Sequence, residues 1–61
     1  MNLNTADDTQ LETISGIGPA TAEAIIAWRD SNGPFTSVEQ LMEVRGIGPA
    51  KFEAMRDAVT V

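Results

Sequence analysis

The chain repeats itself. Shifted by thirty residues, the sequence places Gln10-Leu11 on Gln40-Leu41, Ile14 on Val44 and Gly16-Ile17-Gly18-Pro19-Ala20 on Gly46-Ile47-Gly48-Pro49-Ala50. Glu23-Ala24 then falls on Glu53-Ala54, and Ile25 on Met55. An identical five-residue block in register is far beyond coincidence in a chain of 61 residues. A repeat of this length is one supersecondary unit that cannot bury its apolar face alone, so its copies must pack together. Two copies predict a pseudo-two-fold arrangement. At this size a chain buries only about 60% of the surface it exposes when unfolded, so residues 1–61 are expected to form a single small domain. Its first motif runs over about 6–31 and its second over about 36–60.

Each unit reads as helix, tight turn, helix. In the first, Thr5 is placed to cap a helix beginning at Ala6, with Asp8 as a capping-box partner. Asp7 and Asp8 suit the positive end of that helix's dipole. Leu11 and Ile14 form its apolar stripe. Gly16 stands where a left-handed C-cap is needed, and Pro19 fits the first position of the next helix, where its missing N–H is no loss. From Pro19 to about Ser31, residues Ala22, Ile25, Ile26 and Arg29 recur at helical spacing, the first three facing the core. Asn32-Gly33-Pro34 ends that helix. In the second unit Thr36 with Glu39 is a capping-box candidate, and Ser37 is an alternative cap. Leu41 and Val44 make the stripe, Gly46-Ile47-Gly48 turns, and Pro49 opens a last helix with Phe52, Met55 and Val59 inward. Phe35 sits between the copies and is expected to plug the seam, and Trp28, one residue off the inner stripe, is expected to pack while partly exposed. The fold class predicted is all-α: two helix-hairpin-helix motifs, four main helices and a short connector.

The Gly-Ile-Gly-Pro turn has a chemistry of its own. Its Ile anchors the bend in the core, and its glycines permit positive φ and close approach of another backbone. The first N–H groups of the following helix have no intrahelical partner. These are among Gly18, Ala20 and Thr21 in the first copy, and Gly48, Ala50 and Lys51 in the second. A cluster of such donors binds an anion, phosphate above all. Helical hairpins with no ligand are also built from a C-cap glycine and an opening proline. The doubling favours the functional reading, because two phosphate-gripping turns related by a two-fold can straddle the strands of a duplex.

Composition limits the alternatives. The chain has no cysteine and no histidine, so disulfides, thiolate metal sites and the commonest general base are all missing. No nucleophile–base pair, metal-ligand cluster or nucleotide loop is visible, so no enzyme, metal, cofactor or small-molecule substrate is expected. An apolar run of about 20 residues is absent, so no membrane insertion by this segment is expected. Met1-Asn2-Leu3-Asn4-Thr5 shows neither a basic start nor an apolar signal core, which leaves the compartment undetermined. The nine acids against four bases, a formal net charge of −5, run against the basic face usual for a nucleic-acid binder. The imbalance is uneven. Residues 1–30 carry Asp7, Asp8, Glu12, Glu23 and Asp30 against Arg29 alone, whereas residues 31–61 carry Glu39, Glu43, Glu53 and Asp57 against Arg45, Lys51 and Arg56. A polyanion should lean on the second hairpin.

Asn2-Leu3-Asn4-Thr5-Ala6, Leu11, Gly16-Ile17-Gly18-Pro19, Trp28-Arg29, Asn32-Gly33-Pro34-Phe35, Val38-Glu39-Gln40-Leu41 and Gly46-Ile47-Gly48-Pro49 occur in this order. The series resembles the double helix-hairpin-helix domain of ComEA-type competence proteins, over nearly the whole chain. The resemblance implies binding of double-stranded DNA without sequence preference, on the sugar-phosphate backbone across the minor groove, in DNA uptake outside the cytoplasmic membrane. It implies a first phosphate grip at Gly16, Gly18, Ala20 and Thr21, and a second at Gly46, Gly48, Ala50 and Lys51, with Arg45 beside it. In some relatives the hairpin carbonyls also hold a monovalent cation, which here would lie near Ile14 and Ile17 and near Val44 and Ile47. The chain departs from that family in that Ala20 and Ala50 replace the basic residue common after each hairpin proline, with only Lys51 following as a charge, and in a net charge that is acidic where a DNA binder's is usually basic. With about three cations near phosphate, the salt dependence should be shallow, a slope on the order of −3. Two rivals stand beside DNA uptake: a protein-docking module of the same fold, which the acidic surface favours, and an appendage that presents DNA to a nuclease or polymerase in a longer chain.

Overall fold

Glycine and proline cut the chain into short helices. The computed structural model describes residues 1–61. In order these are α1 (Asp8–Leu11), α2 (Pro19–Asn32), a 3-10 helix η1 (Val38–Glu43), α3 (Pro49–Met55) and a final 3-10 turn η2 (Arg56–Ala58). The fold is all-α, with four main helices. Its one strand-like pairing is an isolated parallel bridge between Asn2 and Thr60.

Both motifs bury the same register positions. Leu11, Ile14, Ile17, Ala22 and Ile25 are buried in the first, and Leu41, Val44, Ile47, Phe52 and Met55 in the second. The third-residue spacing of the first three positions in each set suits a tight, 3-10-like approach to the turn. Leu3, Ala6, Phe35 and Val59 complete one cluster of 14 buried residues. Each large side chain fully buried there contributes about 1.5–3 kcal/mol. Phe35 closes the seam as expected, with Trp28 stacked on it at 4.5 Å between centroids and 17° between planes. Such offset pairs add about 0.5–1.5 kcal/mol beyond area burial.

Several local expectations are corrected. Helix α1 starts at Asp8, not at Ala6, and its cap is Asp7, whose side chain accepts from the Gln10 N–H while Gln10 reaches back to the Asp7 N–H. Thr5 and Ala6 are unavailable to the helix because they belong to a turn folded on the Asn2 carbonyl, which takes both their N–H groups. The third helix is a 3-10 helix capped by Ser37 with Gln40, not by Thr36 with Glu39. The last helix ends at Met55, so Val59 is buried from an extended segment beyond it. Ile26 is only partly buried. Gly33, with φ 86°, terminates α2 where Asn32-Gly33-Pro34 suggests.

Candidate functional site

The two turns are conformational copies. In the first, Ile14 N–H donates to Leu11 O at 3.1 Å and Ile17 N–H to Ile14 O at 3.1 Å. In the second, Val44 donates to Leu41 at 3.0 Å and Ile47 to Val44 at 3.2 Å. Ile17 and Ile47 point inward and are each 5% exposed. Gly16 and Gly46 have φ of 91° and 90°. Gly18 and Gly48 are the N-caps of α2 and α3, with φ, ψ of −95°, −177° and −96°, −179°. Their carbonyls accept the first helical bonds, from Ala22 at 3.0 Å and Phe52 at 2.9 Å.

The two glycines of each turn are there for different reasons. Gly16 and Gly46 occupy positive φ, where a Cβ is strained. Gly18 and Gly48 are extended, a conformation any residue adopts, and a Cβ on either would meet nothing within 4 Å. Nothing inside the protein requires glycine at these two positions. Ser, Thr, Asp or Asn would be better N-caps, because their side chains accept from the N2 or N3 amide. Glycine leaves those amides unclaimed.

The N–H groups of Gly18, Ala20 and Thr21, and of Gly48, Ala50 and Lys51, donate to no acceptor in the protein, and neither helix has a side-chain cap. Gly16, Gly18 and Ala20, like Gly46, Gly48 and Ala50, are exposed, whereas Thr21 and Lys51 are half-buried. No acid lies in the first turn of α2 or α3, so the positive ends of both helices are left without a carboxylate of their own helix. Each copy thus presents a small cluster of outward donors suited to an oxyanion. The Ile14 and Val44 carbonyls are engaged by the Ile17 and Ile47 N–H groups.

The cations divide sharply. Arg29 is structural: its Nη1 donates to Leu3 O at 2.8 Å and Ala6 O at 2.6 Å. Arg56 pairs with Glu53 at 3.4 Å, the one ion pair in the molecule. Arg45 and Lys51 have no carboxylate partner, and they flank the second hairpin. Sequence reasoning groups Arg56 with them, although the Glu53–Arg56 spacing of a helical i,i+3 pair already marks it. It also grants positive φ and close approach to both glycines of each turn without separating the two needs, and it gives Leu3 and Asn4 no structural role. No cluster of His, Cys, Asp or Glu that could hold a metal occurs, and no helix is long and apolar enough to cross a membrane. The one surface hollow is lined by Asn4, Arg29, Asp30 and Pro34, with no large apolar or aromatic side chain, unlike a small-molecule pocket.

The model of the helix-hairpin-helix motif matches residues 1–60, taking in both turns. The chain belongs to the helix-hairpin-helix family. It is 48% identical over 61 residues to ComE operon protein 1 of Bacillus subtilis (strain 168), a match that covers all of this chain and 30% of that protein. It is 43% identical over 60 residues to an uncharacterized protein of Haemophilus influenzae, covering 97% of this chain and 54% of that one. It is 40% identical over 53 residues to the human S1 RNA-binding domain-containing protein 1, covering 87% of this chain and 5% of that one. The chain therefore spans about half the length, or less, of these curated relatives. Together the family match and the first of these relatives make it a ComEA-like helix-hairpin-helix domain.

Proposed function

We propose that residues 1–61 act as one unit that binds double-stranded DNA by its phosphates, from the minor-groove side and without reading bases. The observation that carries this reading is the pair of outward donor sets, Gly18/Ala20/Thr21 and Gly48/Ala50/Lys51, held in the same geometry beside glycines that the fold itself does not require. A phosphate oxygen accepts from such N–H groups, and the missing Cβ lets the sugar-phosphate backbone come close. Gly16 and Gly46 shape the two turns. Arg45 and Lys51 add charge at the second hairpin, so the second grip supplies most of the counterion release. With two free cations the slope of log affinity against log salt is about −2, shallower than the three cations of the second half suggest. By likeness to ComEA-type proteins, the process served is DNA uptake outside the cytoplasmic membrane.

Fluorescence anisotropy with a mixed-sequence duplex, at low and at moderate salt, tests this. Binding should be present at low salt, weaken with salt, be indifferent to sequence, and collapse in Lys51→Glu. A chain that keeps its helical spectrum but does not bind duplex at low salt contradicts it. The surplus of acids in residues 1–30 would then favour a protein-docking role.

A further inference from the structure

We infer that the N-terminal segment Met1–Ala6 is an intramolecular clasp that sets the spacing of the two hairpins, with Asn4 and Arg29 as its positioning residues. The inference rests on the duplex reading above for its consequence, though not for its geometry.

The helices pack within motifs more than between them. The close helix pairs are α1 with α2, and α3 with η1 and with η2. No hydrogen bond runs directly from residues 7–32 to residues 36–60. The polar connections between the motifs pass through the N-terminal segment instead. Arg29, on α2, holds the Leu3 and Ala6 carbonyls. Leu3 N–H donates to Thr60 O at 2.9 Å, and Thr60 N–H returns to Met1 O at 2.7 Å. Asn4 closes on the connector: its Oδ1 accepts from Phe35 N–H at 2.6 Å, and its Nδ2 donates to Phe35 O at 3.0 Å. A side-chain amide thus pairs with a backbone as a second strand would. Local chemistry builds the segment, since Asn2 Oδ1 accepts the Asn4 N–H at 2.8 Å in an Asx-type turn. Leu3 then anchors it in the core with no exposed surface.

Such a clasp matters to a two-point grip. Linked sites gain avidity only where their geometry permits simultaneous engagement, and the gain is lost as the spacing becomes indefinite. Asn4 is half-buried and remote in sequence from both turns, so its effect on duplex affinity is exerted through that spacing.

Two measurements decide it. The chain has no native cysteine, so Glu12→Cys and Met42→Cys, exposed and equivalent in the two repeats, accept a pair of spin labels. The wild-type background should give one narrow distance distribution. Asn4→Ala should broaden it while helical content persists. If Asn4→Ala unfolds the chain, Asn4→Asp, which keeps the acceptor for Phe35 N–H but lacks the donor to Phe35 O, is read in the same way. An unchanged distribution overturns the clasp. For duplex affinity, Asn4→Ala should cost on the order of tenfold with both hairpins intact, and almost nothing once Gly18→Asp has disabled the first. Equal losses in both backgrounds would mean general destabilisation and overturn the positioning role. A wild-type chain that binds no duplex overturns the DNA reading alone, and the distance distribution still decides the clasp.

Discussion

Substituting the two glycines of one hairpin separates conformational need from ligand need. Gly46 has φ 90°, and an added Cβ would meet no neighbour within 4 Å. The penalty in Gly46→Ala is therefore purely that of the backbone, about 1–2 kcal/mol. In a domain of this size each kcal/mol moves Tm by about 4–8 °C, so a drop of roughly 5–15 °C is expected. Gly48 is extended with equally open surroundings. In Gly48→Ser the new hydroxyl accepts from the Ala50 or Lys51 N–H and stabilises α3 by a few tenths of a kcal/mol, roughly. That same bond takes a donor away from phosphate. A hydrogen bond to a charged group is worth about 1.5–3 kcal/mol, so duplex affinity should fall about tenfold or more while Tm holds or rises slightly. Thermal unfolding followed by circular dichroism, with anisotropy on the same samples, reads both quantities. A Gly48→Ser chain that binds duplex like the wild type would refute the division of labour. A Gly46→Ala chain of unchanged Tm would refute it equally.

Other expectations follow from the same geometry. Lys51→Ala should reduce the steepness of the salt dependence by about one unit, whereas Arg56→Ala, already paired with Glu53, should barely alter it in the same titration. Arg29→Met removes both bonds to the Leu3 and Ala6 carbonyls and should destabilise by about 2 kcal/mol or more, seen as an earlier thermal transition. Leu3→Ala opens a cavity at a fully buried site and should cost about 2–5 kcal/mol, enough to leave much of so small a domain unfolded by circular dichroism at room temperature.

The hairpins are legible in the sequence because their chemistry is local. A left-handed residue must be glycine, a helix opener tolerates proline, and the anchoring isoleucine lies between them, so Gly16 through Pro19 spell out the turn. The buried positions follow from the repeat, since each motif supplies the other's template. The helix starts are less legible. Asp7 and Thr5 are both sound caps, and only the involvement of Ala6 in the Asn2 turn selects between them. The 3-10 character of Val38–Glu43 is written in the three-residue spacing of Val38, Leu41, Val44 and Ile47, a period close enough to 3.6 to pass for an α-helical stripe over so few residues. The clasp is illegible for a different reason. Asn4 meets Phe35 thirty-one residues away, and no periodicity announces a contact made by a side-chain amide with a backbone. Arg29 falls on the inner face of α2 by spacing, yet its partners are carbonyls, which every residue has and no sequence displays. Free charge is more legible, for the i,i+3 placement of Glu53 in the sequence separates Arg56 from Arg45 and Lys51.

The hairpin grip is tested most directly by amide proton–nitrogen correlation spectra recorded while a short duplex is added. The N–H signals of Gly18, Ala20 and Thr21, and of Gly48, Ala50 and Lys51, should shift most, those of the second hairpin at lower duplex concentration. Shifts centred on α1 or η1, with these six amides unmoved, would contradict it.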